Sequence, residues 1–570
     1  MAEGIDLGLS GLASGFDWRT LVDQLSDVER APQKRLASEA QSIQTRKTAY
    51  DSINTQLSVL QNRATELNDP DLFDARLGTS SDDEKATVST GIGAALGTYI
   101  FAITQLATAA VRKGTSNIGN PLSTTTDVSG VTLSSAPVST AITAGTITVS
   151  GKQITIAATD TLQGVFDKIA TATGGNVGAS YDPTTDKISL TSSAGELVLG
   201  SATDTSNFLR VMRLSNSGTA TSTSSGAIGS VLLSGAIASS NLATAIDTGG
   251  GTGQFKINGV AISFTASDSL SDILTRINES EAGVNASYDS VNDRFQLTNK
   301  VTGDLGVALE DVTGTFLAAT GLAAGTLERG RDLLYTLNDG GVLSSHSNTI
   351  TDETSGITGL SVEAITTGTI TATVTSDTDK ISKAISDFVE AYNKAQSIID
   401  TNTASSTDAA GKVTAGTLAG EREAYTISAD LRRMITSTLT AASGTIKRLE
   451  NLGITTNGDN DKLAISDAEK LDSALNTSLS EVRSLFLDED EGLASTLEAY
   501  LEGTVGDEGL LPTKQNTLDD QILGISEQIT SLERLVQNNR QALIASFVAM
   551  EQAQQNINSQ MQYLSRINAG

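Results

Sequence analysis

A chain of 570 residues with 38 basic against 67 acidic side chains has a formal net charge of −29, which argues against phosphate backbones and anionic membrane surfaces as partners. With no cysteine, one histidine (His346) and one tryptophan (Trp18), it has neither disulfides nor thiol chemistry and little catalytic hardware. The length calls for several domains.

No apolar run reaches the roughly 18 residues a membrane helix needs. The first residues lack the basic and then apolar pattern of a cleaved signal, so composition alone suggests a cytoplasmic address. Aromatic content of 4 % with 52 glycines means a core of Val, Ile, Leu and Ala covered by Ser and Thr.

Residues 4–16 place Leu7, Leu9 and Leu12 among small neighbours; alone they have too little to bury and are expected to be disordered. Asp17 is a good N-cap for a helix with Trp18, Leu21, Val22, Leu25 and Val28 on one side. Pro32 breaks or restarts it. A second helix is predicted from Gln33 to Leu67. Leu36, Ile43, Tyr50 and Leu57 recur every seven residues, with Ile53 and Leu60 between them, and Asn68-Asp69-Pro70 ends the run. Near Gly78 the period changes to two, giving strands at 86–89 and 98–104.

The middle contains an internal repeat. Residues 145–156 match 253–264, Val177 to Asp182 matches Val284 to Asp289, and Asp186 to Thr191 matches Asp293 to Thr298. Each unit reads strand, turn at Gly151 or Gly259, strand, helix, strand, hairpin, strand. The Ser/Thr/Gly-rich run between them, 215–252, reads as a pliable connection with one possible strand at 229–235.

Strands resume at 333–337, 361–365 and 369–374, followed by a helix from Thr378 and further helices near 424–438, 466–486 and 493–501. Asn457-Gly458 marks a hairpin turn.

From Leu518 to Ile567 the spacing alternates threes and fours over about seven heptads, the seam of a coiled coil. Ile522, Ile525, Ile529, Leu532 and Val536 form its first half. Beyond Val536 one series turns polar or small at Asn539, Ser546, Ala553 and Gln560, while Phe547 and Met561 sit one position aside and Met550, Ile557, Leu564 and Ile567 continue the stripe. Such drift indicates a change of partner, sealed pairing first and conditional contact at the end. The economical arrangement pairs the helical ends of the chain as a stalk carrying the middle as an insertion. The plainer readings are a terminal helix packed wholly on its own domain, or two ends in separate domains.

Chemistry is harder to find. His346 lies in a polar loop without a nucleophile pattern; Gly249 to Gly253 lacks the Lys-Ser/Thr of a phosphate cradle and leads into a strand. The acidic turns at 459–461 and 488–491 lack the ligand spacing of a calcium loop. No catalytic, cofactor or metal residues are expected, and the chain reads as a non-enzyme.

The residues resemble the flagellar filament cap family, also called hook-associated protein 2. At the N-terminus the resemblance rests on Ser10 to Asp17, Val28-Glu-Arg-Ala-Pro32, Gly97-Thr-Tyr99 and Thr104 to Ala107. Farther along it rests on Ile257-Asn-Gly-Val260, Ser347 to Ile350, Asp387 to Asn393, Leu452 to Thr455 and Gly509-Leu-Leu511. Phe16 and the lengthened linker around Ser222 depart from the family pattern.

The resemblance implies an α+β multidomain protein. Its helical coiled-coil stalk is formed by the N- and C-terminal segments, with inserted β-rich domains holding two hook-type repeats. It implies unfolded export without a cleaved signal, replacing the cytoplasmic address by the extracellular filament tip. There a homo-oligomer, commonly a pentamer, would retain flagellin and help it fold and insert. Partners would be further copies of the chain, flagellin, hook–filament junction proteins and a cytosolic export chaperone, with no nucleic acid and no membrane span.

The expected domains are a terminal leg 1–40 pairing with 537–570, a stalk portion 41–112 with 331–536, inserted domains 113–214 and 253–330 around the linker 215–252, strands and helices 331–512, and a terminal helix 513–570. Oligomer or filament contacts fall to Leu9, Leu12, Trp18, Leu21, Leu25, Phe547, Met550, Ile557, Met561, Leu564 and Ile567. Stalk pairing falls to Leu36, Ile43, Tyr50, Ile53, Leu57, Leu60, Ile522, Ile525, Ile529, Leu532 and Val536. The competing readings are another axial or junction protein, a tip adhesin for host glycan or mucin, and, distantly, an enzyme.

Overall fold

The computed structural model describes residue 15 and residues 17–407, 409–440, 444–456, 458, 460–488 and 491–568, with side chains to 566. Leu9, Leu12, the side chain of Ile567, and Asn457, Asp459, Glu489 and Asp490 lie outside the described residues. The chain divides into two units, Met1–Leu77 with Ser376–Gly570, and Gly78–Thr375.

The first unit is helical. Asp17 caps the first helix, Trp18–Glu29, by accepting the Thr20 N–H. The long helix Ala31–Leu67 restarts one residue later, with Pro32 in its first turn where a missing N–H costs nothing. It therefore runs unbroken through residue 40. Tyr50, Ile53, Leu57 and Leu60 enter one core with Ile385, Phe388 and Tyr392 of helix Thr378–Thr403, Leu431 of Arg422–Thr436, and Leu497 of Leu493–Val505.

The single helix expected over 466–486 is two, Ala468–Thr477 and Leu479–Leu487. Ser478 leaves helical backbone geometry at φ −138°, ψ 35°, and the break lets Leu475 and Phe486 reach the same core from differently directed helices. The terminal helix spans Leu510–Asn568, starting earlier than expected because Pro512 is tolerated in a first turn. At 59 residues it is about 88 Å long.

The second unit holds three cores. One lies beneath a five-stranded sheet in the order 76–80, 368–376, 97–105, 333–337, 342–345, with a three-stranded sheet formed by 349–350, 360–364 and 86–90. The other two belong to the repeats. In each, a hairpin (Gly145–Val149 with Lys152–Ile156; Thr252–Ile257 with Val260–Thr265) precedes a helix (Leu162–Ala172; Leu270–Glu279) and a second hairpin (Val177–Asp182 with Lys187–Ser192; Val284–Asp289 with Arg294–Thr302). The first hairpins close through Ser150-Gly151 and Asn258-Gly259, all at positive φ, the two-residue turn that matches strand twist.

The run 215–252, expected as a pliable connection, is packed onto both repeats. Thr221–Thr223 pairs with Lys187–Ser192, Ile228 enters the first repeat's core and Val231 the second's, and 229–235 forms no strand beyond an isolated bridge from Gly229 to Val138. The first-repeat module is thus inserted into a host built around the second repeat.

Candidate assembly surface at the paired termini

The terminal helix lies antiparallel to the first two helices. Its polar contacts step down in number as theirs step up: Asp23 accepts from Arg540 at 2.9 Å, Glu29 accepts from Asn539 at 3.3 Å, Arg30 pairs with Glu533 at 2.9 Å, and Lys47 lies 3.6 Å from Asp519. Arg30 and Gln33 donate to Glu533 from one side and Gln537 from its own helix. The hydrogen bonds from Arg30, then those from Gln537 and Gln33, bring the Glu533 carboxyl down to about 2.

A second cluster ties the base of the terminal helix to the bundle. Glu421 accepts from Arg46 at 3.1 Å, the buried Tyr50 hydroxyl at 3.2 Å and Lys514 at 3.1 Å, while Lys514 also donates to Glu423 at 3.0 Å and sits over the Tyr50 ring. Burial alone would raise Glu421, but Lys514 and Arg46 hold it below the ordinary glutamate range. Burial first, then the nearby Glu421 charge, pushes the Tyr50 phenol up.

Along the apolar seam, Ile43, Tyr50, Ile53, Leu57 and Leu60 are buried; Leu36 packs on the same core half-covered. On the terminal helix Ile525 and Val536 are buried, while Ile522, Ile529 and Leu532 are half-buried. Farther out, Trp18 is 3 % exposed and its ring stacks on Phe547 with centroids 5.7 Å apart. Among the described residues its indole N–H meets no acceptor. Leu21 is half-buried and Leu25 exposed. Met550 is 41 % exposed, and past Glu551, itself buried, the stripe opens further: Ile557 is 58 % and Met561 65 % exposed, with Leu564 similar.

Val28, expected on the inward side of the first helix, is exposed; the residues its spacing does not single out are the exposed Val548 and Tyr563 and the charged edge of Asp23, Arg30, Glu533 and Arg540. Opposite charges whose numbers run in opposite directions on two predicted helices are the signal that could have found that edge. Apart from this surface, the His346 Nδ1–H donates to the Asp332 carboxylate at 2.8 Å on an exposed loop. Among the described residues no His, Asp and Glu cluster suits a metal, and no helix is long and apolar enough to cross a membrane.

Residues 14–110 match the sequence model of the flagellar hook-associated protein 2 N-terminus, and residues 333–559 match that of its C-terminus. The chain belongs to the flagellar hook-associated protein 2 family. Residues 245–301, the second repeat, match the flagellin hook IN motif.

Among relatives bearing the family's name, one from Thermotoga maritima is 27 % identical over 610 aligned positions, covering 99 % of this chain and 96 % of its own. An A-type protein from Pseudomonas aeruginosa is 25 % identical, covering 95 % and 93 %. A crystal structure of the flagellar cap protein D1-D2-D3 domains from Escherichia coli aligns at 20 % identity over 83 % of this chain and 99 % of that one, with a TM-score of 0.42. The family is one of structural flagellar cap proteins, not enzymes, and this chain has that structural role.

Proposed function

We propose that copies of this chain assemble as a homo-oligomeric cap on the distal, extracellular end of the flagellar filament, where they retain exported flagellin and promote its folding and insertion. One observation carries the finer part of this reading. Among the described residues the bundle's own core takes nothing from the terminal helix beyond Ile529, and the stripe of Ile557, Met561 and Leu564 is exposed. Beyond Arg540 the charged residues are Glu551 and Arg566, in a chain of net charge −29.

A long, nearly uncharged, half-apolar helix suits insertion among other helices and is a poor free surface in water. Residues 1–40 and 537–570 then act as the leg that meets flagellin or the junction proteins on which a new filament starts. Before export the same stripe would need masking, the role assigned to a cytosolic chaperone. The deciding experiment complements a strain lacking the gene with a chain trimmed of residues 1–16 and 551–570. The trimmed protein is expected to melt like the full chain while the cells grow no filament and shed monomeric flagellin; normal filaments from the trimmed chain would overturn the reading.

A further inference from the structure

Two chain crossings join the first-repeat module to its host, one outgoing near residues 118–122 and one returning near 228–231. Each is held by a buried carboxylate from each side. Asp186, on the first repeat's second hairpin, accepts the Leu122 N–H at 3.0 Å on one oxygen, and the Ile228 and Gly229 N–H groups at 2.9 and 2.6 Å on the other. Asp293, its equivalent in the second repeat, accepts the Gly119 N–H at 2.6 Å and the Val231 N–H at 3.0 Å.

In both, the tyrosine five residues earlier donates its hydroxyl to the same carboxylate, Tyr181 to Asp186 and Tyr288 to Asp293. Both aspartates sit at positive φ, 52° and 47°, where Asp is better tolerated than most residues. They are 6 % and 2 % exposed. A side chain at Gly119 or Gly229 would strike the opposite crossing, Ser230 or Asn120, so the two segments lie in backbone contact. Arg213 of the inserted module adds hydrogen bonds at 2.9 Å to the Ser290 and Val291 carbonyls of the host.

A carboxylate only accepts, and its two oxygens can satisfy several N–H donors at once; charge-assisted bonds of this kind are the strong ones. A hinge would need crossings that rotate freely. Here each crossing is bonded to a rigid hairpin at both ends. We propose that Asp186 and Asp293, with Tyr181 and Tyr288, form a duplicated lock that makes the inserted module and its host one rigid body, so that neutralising the two carboxylates converts the joint into a hinge. The inference rests on this geometry and does not require the cap reading.

Because the chain has no native cysteine, a spin-label pair can be placed at the repeat-equivalent, exposed positions Gln153→Cys and Ala261→Cys. Pulsed electron–electron distance measurement on the full chain should give one narrow distance. Adding Asp186→Asn and Asp293→Asn replaces an acceptor by an NH₂ group facing backbone N–H donors; the distribution should then broaden severalfold while circular dichroism keeps the helix and strand signal.

Should the double variant not fold, Tyr181→Phe with Tyr288→Phe removes one donor from each lock and should broaden the distribution less. A broad distribution in the parent chain, or a narrow one retained in the folded carboxylate or tyrosine variants, would overturn the proposal.

Discussion

Residues 510–536 and 550–566 belong to one helix and each carries an apolar stripe, but they occupy opposite surroundings. In the first stretch Leu518, Ile525 and Val536 are covered and the base is held by Lys514 on Glu421 and Glu423. In the second, Met550, Ile557, Met561 and Leu564 face outward. Amphipathic periodicity therefore states that a face seeks cover, and says nothing of whether the same chain provides it.

The contrast is tested most severely in the sealed region. Leu57→Ala, at a side chain with no exposure, should cost about 2–5 kcal/mol in urea unfolding because removed contacts leave a cavity; a cost near zero would mean the bundle is not the stabilising core. A smaller loss, roughly 1–3 kcal/mol, is expected for Glu421→Ala, which strips the acceptor from the buried Tyr50 hydroxyl and from Arg46 and Lys514. Coupling can be read by adding Lys514→Met: if the cluster acts as a unit, the second substitution costs much less in the Glu421→Ala background than alone.

Acid should loosen the outer pairing. Glu533 has a folded value of about 2 against about 4.3 for a free glutamate, so its contribution is complete above the unfolded value and disappears as pH falls through about 2. Fluorescence of Trp18, the chain's single tryptophan, reports on the first helix and should change across that window. In Glu533→Gln the transition attributable to this group should vanish, and an unaltered acid profile would remove Glu533 from the account.

The smallest effect is the most diagnostic of the open end. Ile557→Ala with Met561→Ala should leave the chain's own unfolding within about 0.5 kcal/mol of the parent, as exposed substitutions do, while impairing whatever the end docks on. A loss of several kcal/mol would show that the stripe is covered by the chain itself.

Much of this is legible in the sequence. Heptad spacing disclosed the long helices, and the repeat emerged from paired turn residues, Ser150-Gly151 against Asn258-Gly259, because such turns depend on local backbone freedom. The run 215–252 misled for the same reason: its Ser, Thr and Gly content reports an intrinsically mobile backbone, whereas it is held by Asp186 and Asp293, hairpin residues brought to it by the fold. The break at Ser478 was hidden because the apolar spacing of 466–486 suits one helix as well as two. At the assembly surface the apolar stripes were readable, but the ion pairs along their edge depend on antiparallel register.

The sequence alone determined where most helices and the repeat hairpins form, that the chain carries apolar stripes at both ends, and that catalytic hardware is scarce. These follow from interactions among residues a few positions apart. Tertiary structure decided which stretch of each stripe is covered, that an apparent linker is hydrogen-bonded to Asp186 and Asp293, and that Trp18 lies on Phe547. Those outcomes depend on distant segments meeting in one register, a property that no local window of residues contains.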